Sequence, residues 1–519
     1  MNRTQGRFRS AVIWAFLMNW GLRGFSSCFV LILALFLGPS DFGLMGIAMA
    51  YILFVRMLLD QGLTSAVIRY RALDHAHLNA VFWLTLVVGL GLTVASWFIA
   101  PRWAMAQAVP DPELASVIRA LALTIPLSAL TVVQEAALRR RMDFKALAVR
   151  SNVSVVAGGV GGVVYALLGL GVWALVGQTI VFAVVSVLLM WRLGDFRPKA
   201  SFSFAKLREI ASFSSAVFLD TLGNFVNRQS DTVVMGLFFG PATVGLYQIG
   251  ARLRDLVVTL MGRSLTAVSL PEFSRVQHDP PALRKRYLHV VSLAGLSTVP
   301  PLALLAAVGE PLVASLGGKW EPYAATAGAA VALLCLQSIV APVVLFTTSL
   351  LQATGRAFTS AVFTWTGAGL SAISYVVAGF LLRDEPMTTQ VLGIAGSRLL
   401  IVTLISTPAQ LLFLRRVCGV PLCSTFGALW PALLGAGTAG VLAHLVTLIP
   451  ALDEHHPVFK VILGSGVFAL VAAPILLTLH PGAKRLARAV LARLIPERTT
   501  TPRSVGGRTG PSFAAAERK

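Results

Sequence analysis

Long apolar segments recur along most of this chain, and they decide what it can fold into. A run of 18 or more apolar residues crosses roughly 30 Å of hydrocarbon as a helix, and lipid leaves no alternative to a helix because it offers the backbone no hydrogen-bond partner. With 56% hydrophobic and 13% charged residues among 519, the chain has too much apolar surface for a water-soluble protein. We therefore predict an all-α polytopic membrane protein with about fourteen transmembrane helices, at 11–37, 44–66, 79–100, 114–137, 146–168, 171–192, 209–239, 243–268, 287–308, 323–351, 358–382, 390–414, 425–449 and 457–479.

The net charge of +21 is explained by where the basic residues lie. When the N-terminus is placed in the cytoplasm, most of the 43 Lys and Arg residues fall in cytoplasmic segments. The outer segments hold Arg102, Lys319, Arg383 and Lys460. This asymmetry follows the positive-inside rule and predicts cytoplasmic N- and C-termini. Because no aromatic-basic motif or zinc-like cysteine pattern accompanies the charge, we expect the lipid bilayer, and no nucleic acid, as a partner.

A short motif after the first span returns after the seventh. The pattern Gly-Pro-x-x-x-Gly begins at Gly38 and again at Gly240, an offset of 202 residues. Proline cannot continue a helix and glycine permits a tight turn, so each copy is expected to open the next span. The offset covers six helices, which predicts two pseudo-symmetric six-helix lobes plus two C-terminal helices. The predicted divisions are an N-lobe at 1–200, a C-lobe at 201–416, the last two spans at 417–480, and a cytoplasmic amphipathic helix with a disordered tail at 481–519.

Polar residues inside the predicted spans are the candidate functional residues, because a charge within lipid is costly. Their helical spacing gathers them into polar stripes on the first, second, seventh and eighth spans, which predicts a cationic cavity between the lobes. The residues predicted to bind cargo are Arg23, Arg56, Arg252, Arg228, Asn19 and Asn227. The acids predicted to couple transport to an ion are Asp60, Asp220, Asp231 and Asp255.

A cationic cavity within lipid favours an anionic cargo, because guanidinium groups bind phosphate in a bidentate manner. Pyrophosphate on a polyprenol carrier fits this chemistry. A simpler interpretation stays open, in which Arg56–Asp60 and Arg252–Asp255 are intrahelical ion pairs that only hold the lobes together.

The remaining basic residues in the predicted spans are expected to face away from the predicted cavity or to lie near span ends. Arg254 points about 200° away from Arg252, so the two cannot face the same cavity. Arg119, Arg263 and Arg398 lie nearer the ends of spans, where their side chains are expected to snorkel. We find no Gly-rich phosphate loop, metal-ligand cluster or nucleophile motif, and so expect no metal, no cofactor and no catalysis.

Several short stretches occur in a joint order across residues 1–415, namely Leu37–Leu44, Asp60–Leu63, Leu138–Lys145, Asn227–Asp231, Gly240–Tyr247, Leu270–Arg275 and Gly318–Trp320. In this order they resemble the polysaccharide biosynthesis (Wzx-type oligosaccharide flippase) family of the multidrug/oligosaccharidyl-lipid/polysaccharide superfamily. The resemblance implies alternating access and translocation of undecaprenyl-pyrophosphate-linked repeat units across the bacterial cytoplasmic membrane. It also implies other polysaccharide assembly proteins as partners.

Within the superfamily, lipid II flippases carry cavity arginines similar to Arg23, Arg56 and Arg252. The chain departs from the family where an Asp-Arg pair is common, because Asp231 is followed by Thr232.

Two other functions are alternatives to that of a flippase. A cation-coupled small-molecule exporter of the same superfamily would favour acidic walls, whereas the charge inside these spans is mostly basic. A membrane polysaccharide polymerase or ligase would carry a large outer loop with functional basic residues, whereas the predicted outer loops are short.

Overall fold

The computed structural model describes residues 2–70, 73–452 and 456–479, and these residues form α-helices with short π and 3₁₀ turns and no β-strand. The predicted amphipathic helix and tail at 481–519 lie outside the described residues. The helices of the first half are α1 (Asn2–Ala34), α2 (Pro39–Asp60), α3 (Leu63–Arg69), α4 (His75–Met105), α5 (Pro112–Ala122), α6 (Thr124–Arg140), α7 (Phe144–Leu167) and α8 (Trp173–Leu193). Those that follow are α9 (Phe204–Phe238), α10 (Pro241–Val257), α11 (Arg263–Arg275), α12 (Pro280–Ala307), α13 (Gly309–Ala314), α14 (Ala324–Ser338), α15 (Ala341–Ala353), α16 (Ala357–Leu381), α17 (Met387–Leu400), α18 (Thr407–Cys418), α19 (Leu422–Thr447) and α20 (Pro457–Leu479).

Within the described residues, 11 helical segments are long and apolar enough to cross a membrane. They match the predicted second to sixth and ninth to fourteenth spans. The other three predicted spans are also helical, as α1, α9 and the α10–α11 pair, and α1 is apolar over its described stretch Trp20–Ala34. The predicted all-α polytopic fold is therefore confirmed.

The first turns of α2 and α10 cross in close contact at one face of the molecule. Pro39 and Pro241 are the first residues of α2 and α10, as predicted from the repeated motif. A Cβ atom added to Gly43 would lie 1.7 Å from the carbonyl oxygen of Pro241, and one added to Gly245 would lie 1.8 Å from that of Pro39. The expectation that these glycines serve a tight turn is wrong, because both lie inside helices whose backbones touch.

On the same face of the molecule, a buried tryptophan from the second half reaches the first half. The Trp320 indole Nε1–H donates to the carbonyl oxygens of Ala34 and Leu37, each at 2.8 Å. Its ring packs edge-on against Phe42 with centroids 5.6 Å apart. We call this side of the molecule the Trp320 face.

The opposite face also joins the halves, through a histidine between two carboxylates. The His77 side chain is 1% exposed, with Nδ1 2.6 Å from Asp74 and Nε2 3.0 Å from Glu209 of α9. The backbone N–H of His77 donates to the Asp74 carboxylate and lowers the pKa of that group below its ordinary value. Both faces of the molecule therefore hold contacts between the halves, with the polar helix segments between them.

Candidate cargo-binding cavity

A cavity of about 600 Å³ lies between the two halves, and three of the predicted arginines line it. Arg23 enters it from α1, Arg56 from α2 and Arg252 from α10. The rest of the wall is mostly apolar, with Gln178, Thr179 and Asp255 among its polar members. Because an apolar surround strengthens the attraction between a guanidinium group and an anion, this wall suits an anionic group.

The arginine of α2 is held by a hydroxyl group rather than by an acid. Arg56 Nη2 donates to Thr124 Oγ1 at 2.8 Å, and its buried Nε has no hydrogen-bond partner. Asp60 instead accepts from the backbone N–H and the hydroxyl group of Thr64. Among the described residues, the alternative Arg56–Asp60 ion pair does not form, so the Arg56 charge stays uncompensated by that carboxylate.

Arg252 in the second half is likewise not paired with the nearby acid of its own helix. Its guanidinium carbon lies 5.4 Å from the centroid of the Phe42 ring, within cation–π distance. Asp255 pairs with the adjacent Arg254, whose Nη2 lies 2.8 Å from Oδ1. The alternative Arg252–Asp255 pair is therefore also wrong within the described part of the chain, and intrahelical ion pairing does not account for either arginine.

The two neighbouring arginines of α10 face different cavities, as their spacing predicts. Arg252 lines the first cavity, whereas Arg254 lines a second one of about 380 Å³. Arg228 and Asn227, predicted to bind cargo, lie on the wall of this second cavity. Asp255 borders both cavities.

A buried network that the sequence did not reveal holds α9, α10 and α17 together. Arg398 Nη1 lies 3.0 Å from the Asp231 carboxylate, which also accepts from the Tyr247 hydroxyl at 2.9 Å. The prediction that Arg398 snorkels is wrong, since its side chain is only 13% exposed. The partners lie 167 residues apart, and no local spacing could have indicated the pair.

Glu135 is a half-buried charge that the sequence analysis missed. Its carboxylate pairs with Arg139 at 2.7 Å and with Arg150 at 2.9 Å. It lines a small cavity of about 240 Å³ that also touches Arg56. The i,i+4 spacing to Arg139 was a usable signal, but Arg150 comes from α7.

The other predicted site residues are placed as follows. Asp220 is exposed and accepts a hydrogen bond from the Asn224 amide at 3.3 Å. The side chain of Asn19 lies outside the described part of the structure. Among the residues that the structure describes, no cluster of His, Cys, Asp or Glu has the arrangement of a metal site.

Known structures share this architecture. A lipid II flippase MurJ in an inward closed conformation superposes with a TM-score of 0.66 at 13% identity, over 91% of this chain and 99% of that one. An inward-facing multidrug resistance transporter of the MATE family gives a TM-score of 0.60 at 16% identity, over 75% of this chain and 95% of that one. At such identities the likeness establishes the fold alone.

Sequence comparisons give closer relatives. The succinoglycan biosynthesis transport protein ExoT of Rhizobium meliloti is 28% identical over 60% of this chain and 63% of its own length. The lipopolysaccharide biosynthesis protein WzxC of Escherichia coli is 25% identical over 56% of this chain and 59% of its own length. The chain thus matches about three fifths of the length of these relatives. Residues 32–325 match the family described as polysaccharide biosynthesis protein, and this multi-pass bacterial membrane protein belongs to that family.

Proposed function

We propose that this protein translocates polyprenyl-pyrophosphate-linked oligosaccharide units across the bacterial cytoplasmic membrane by alternating access. The observation that carries the proposal is the meeting of Arg23, Arg56 and Arg252 in one cavity between the halves. Three guanidinium groups in an apolar surround attract a group with more than one negative charge, such as a pyrophosphate. The polyprenol chain would remain in the bilayer while the sugars enter the cavity.

The relatives support a cargo for surface polysaccharide synthesis. ExoT is named for succinoglycan transport, WzxC for lipopolysaccharide biosynthesis, and TuaB of Bacillus subtilis for teichuronic acid biosynthesis. These glycans differ, whereas a lipid-linked pyrophosphate is a carrier that different glycans can share. We infer that the cavity recognises the carrier end of the cargo, and that partners include other polysaccharide assembly proteins. The N- and C-termini are proposed to lie in the cytoplasm, as the basic loops predict.

The roles of the acids follow from their partners. Asp231 and Asp255 are held by Arg398 and Arg254, and Asp60 by Thr64. An acid that already pairs with an arginine has less need of a proton or Na⁺. Among the predicted coupling acids, we therefore propose Asp60 and Asp220 as the better candidates.

The direct experiment deletes the gene in its host and restores it as wild type or as Arg56→Ala. We expect deletion to abolish surface polysaccharide and to accumulate lipid-linked intermediates in the inner leaflet. Arg56→Ala should lower the amount of surface polysaccharide by roughly tenfold or more while the protein is still inserted in the membrane. The substitution removes a charged hydrogen-bond donor to the pyrophosphate. Lipid-linked intermediates extracted from the membranes are measured together with the surface glycan.

The matched control is Arg102→Ala, which removes an exposed arginine from the same half and should export normally. Wild-type export by Arg56→Ala would contradict the cavity assignment. If deletion instead leaves unpolymerised units on the outer leaflet, the protein acts after translocation, as a polymerase would.

A further inference from the structure

The second cavity differs from the first in the chemistry of its wall. It lies within the second half, where α9, α10, α14, α15, α16 and the α17–α18 pair surround it. Its volume of about 380 Å³ falls in the range of small-molecule sites. Through Asp255, whose side chain is 60% exposed, it adjoins the arginine-lined cavity.

Two buried amide groups on its wall have no protein partner for their oxygens. Gln337 is 6% exposed and Gln410 is 7% exposed, and both line the cavity. The Oε1 atom of each is buried without a hydrogen bond. A buried acceptor that stays unpaired is costly, so each oxygen needs a donor that the described protein atoms do not supply.

The same wall also holds a hydrogen-bond donor that is buried and has no partner. Arg398 Nε is buried without a hydrogen-bond partner, although its Nη1 pairs with Asp231. Hydroxyl groups both donate and accept, so a ligand with several hydroxyl groups would satisfy the two amide oxygens and this N–H together.

The charges around this cavity do not favour an anion as the first cavity does. Arg254 is paired with Asp255 at 2.8 Å, and Arg398 with Asp231 at 3.0 Å. The guanidinium groups of Arg254 and Arg398 therefore already hold carboxylates. A neutral polar ligand fits this wall better than a phosphate group.

The helices that form the wall are irregular where they meet the cavity. The α10–α11 pair is joined by a π turn at Val258–Gly262, and the α17–α18 pair by another at Ile401–Ser406. Val258, Thr259, Val402 and Ser406 from these turns line the cavity. Single π turns inside helices occur frequently at functional sites, because they shift side chains and open the backbone ladder.

We propose that the second cavity is a saccharide subsite that binds the sugars of the cargo, with Gln337 and Gln410 accepting from sugar hydroxyl groups. The inference rests on the proposed function, since the pyrophosphate would lie beside Arg23, Arg56 and Arg252 and the sugars would pass Asp255 into the second half. The first cavity binds what different cargoes share, and the second discriminates between glycans.

The test compares two ligands on the full chain purified in nanodiscs. One is undecaprenyl pyrophosphate, which carries no sugar. The other is the lipid-linked oligosaccharide extracted from the producing strain after deletion of the gene. For each, the dissociation constant is measured from the ligand-dependent rise in thermal stability.

We expect the wild type to bind the sugar-bearing lipid more tightly than the bare carrier. Gln337→Leu and Gln410→Leu should each weaken binding of the sugar-bearing lipid by roughly five- to tenfold and leave the bare carrier unaffected. Arg56→Ala should weaken both ligands alike. The matched control is Gln134→Leu in α6, which removes another buried and unpartnered amide that does not line this cavity and should change neither affinity.

The outcomes separate the two proposals. An unchanged preference for the sugar-bearing lipid in both glutamine variants overturns the saccharide subsite but leaves the flippase function standing. An equal loss in Gln134→Leu also overturns it, since the effect would then be one of general packing. If the wild type binds neither lipid, the proposed flippase function itself is wrong.

Discussion

At the scale of single residues, the buried Asp231–Arg398 pair joins α9 to α17 beside the second cavity. We predict that Arg398→Met destabilises the protein by about 3–5 kcal/mol, because it leaves a buried carboxylate uncompensated. The double variant Asp231→Asn/Arg398→Met should recover most of that loss, since it removes the charge and keeps an acceptor for Tyr247. Thermal unfolding of the purified variants, followed by the loss of monodisperse protein, measures both effects.

The exposed Arg383 of the same half serves as the control, and Arg383→Met should unfold like the wild type. Equal stability of Arg398→Met and the wild type would show that the pair contributes nothing to the fold. If the double variant is as unstable as Arg398→Met, the loss of stability comes from lost packing and not from the uncompensated charge.

Residue spacing predicted some of the site and misled about the rest. Arg23, Arg56 and Arg252 were predicted together because a charge inside a span must face a partner or a cavity, and they do line one cavity. The same spacing suggested Arg56–Asp60 and failed, because Thr124 of α6 lies closer in space to the guanidinium group. Helical periodicity reports which face a residue occupies, but not which neighbouring helix meets that face.

At the scale of elements, the α2–α10 crossing depends on two glycines. We predict that Gly43→Ala separates these helices and strongly reduces stability and export, because its Cβ would lie 1.7 Å from the Pro241 carbonyl oxygen. The matched control is Gly91→Ala in α4, where an added Cβ meets nothing within 4 Å. That variant should match the wild type in thermal unfolding and in surface glycan. If Gly43→Ala matches the Gly91→Ala control, α2 and α10 can separate at little cost in stability.

Hydropathy identified most of the membrane-spanning elements from the sequence. Two predicted spans outside the 11 apolar segments, α9 and α10–α11, carry several charged residues, among them Arg228 and Arg252. These charges lower the mean hydropathy of the two spans. Charge asymmetry and the repeated motif located them from the sequence, and the backbone contact of Gly43 with Pro241 needed the structure.

At the scale of the whole molecule, the two cavities and the two closing faces form one arrangement. The first cavity lies between the halves, the second lies inside one half, and Asp255 borders both. The Trp320 face holds the halves together on one side, and His77 with Glu209 joins them on the other. A cargo between the halves can leave only if contacts on one face separate, which makes each face a testable barrier.

The last prediction tests whether the Trp320 face must open. A Cβ added to Gly38 would lie 3.4 Å from the Cβ of Lys319, close to the separation of about 3.5–4.5 Å that a disulfide requires. With the exposed Cys28 and Cys423 replaced by serine, we predict that the double variant Gly38→Cys/Lys319→Cys cross-links the halves under oxidation. Export of surface glycan should then stop and return after reduction, because alternating access needs the two halves to part there. Each single cysteine variant should export normally under oxidation, which excludes a defect from either substitution alone. Full export by quantitatively cross-linked protein would mean that the cargo leaves by another route, and alternating access through this face would have to be abandoned.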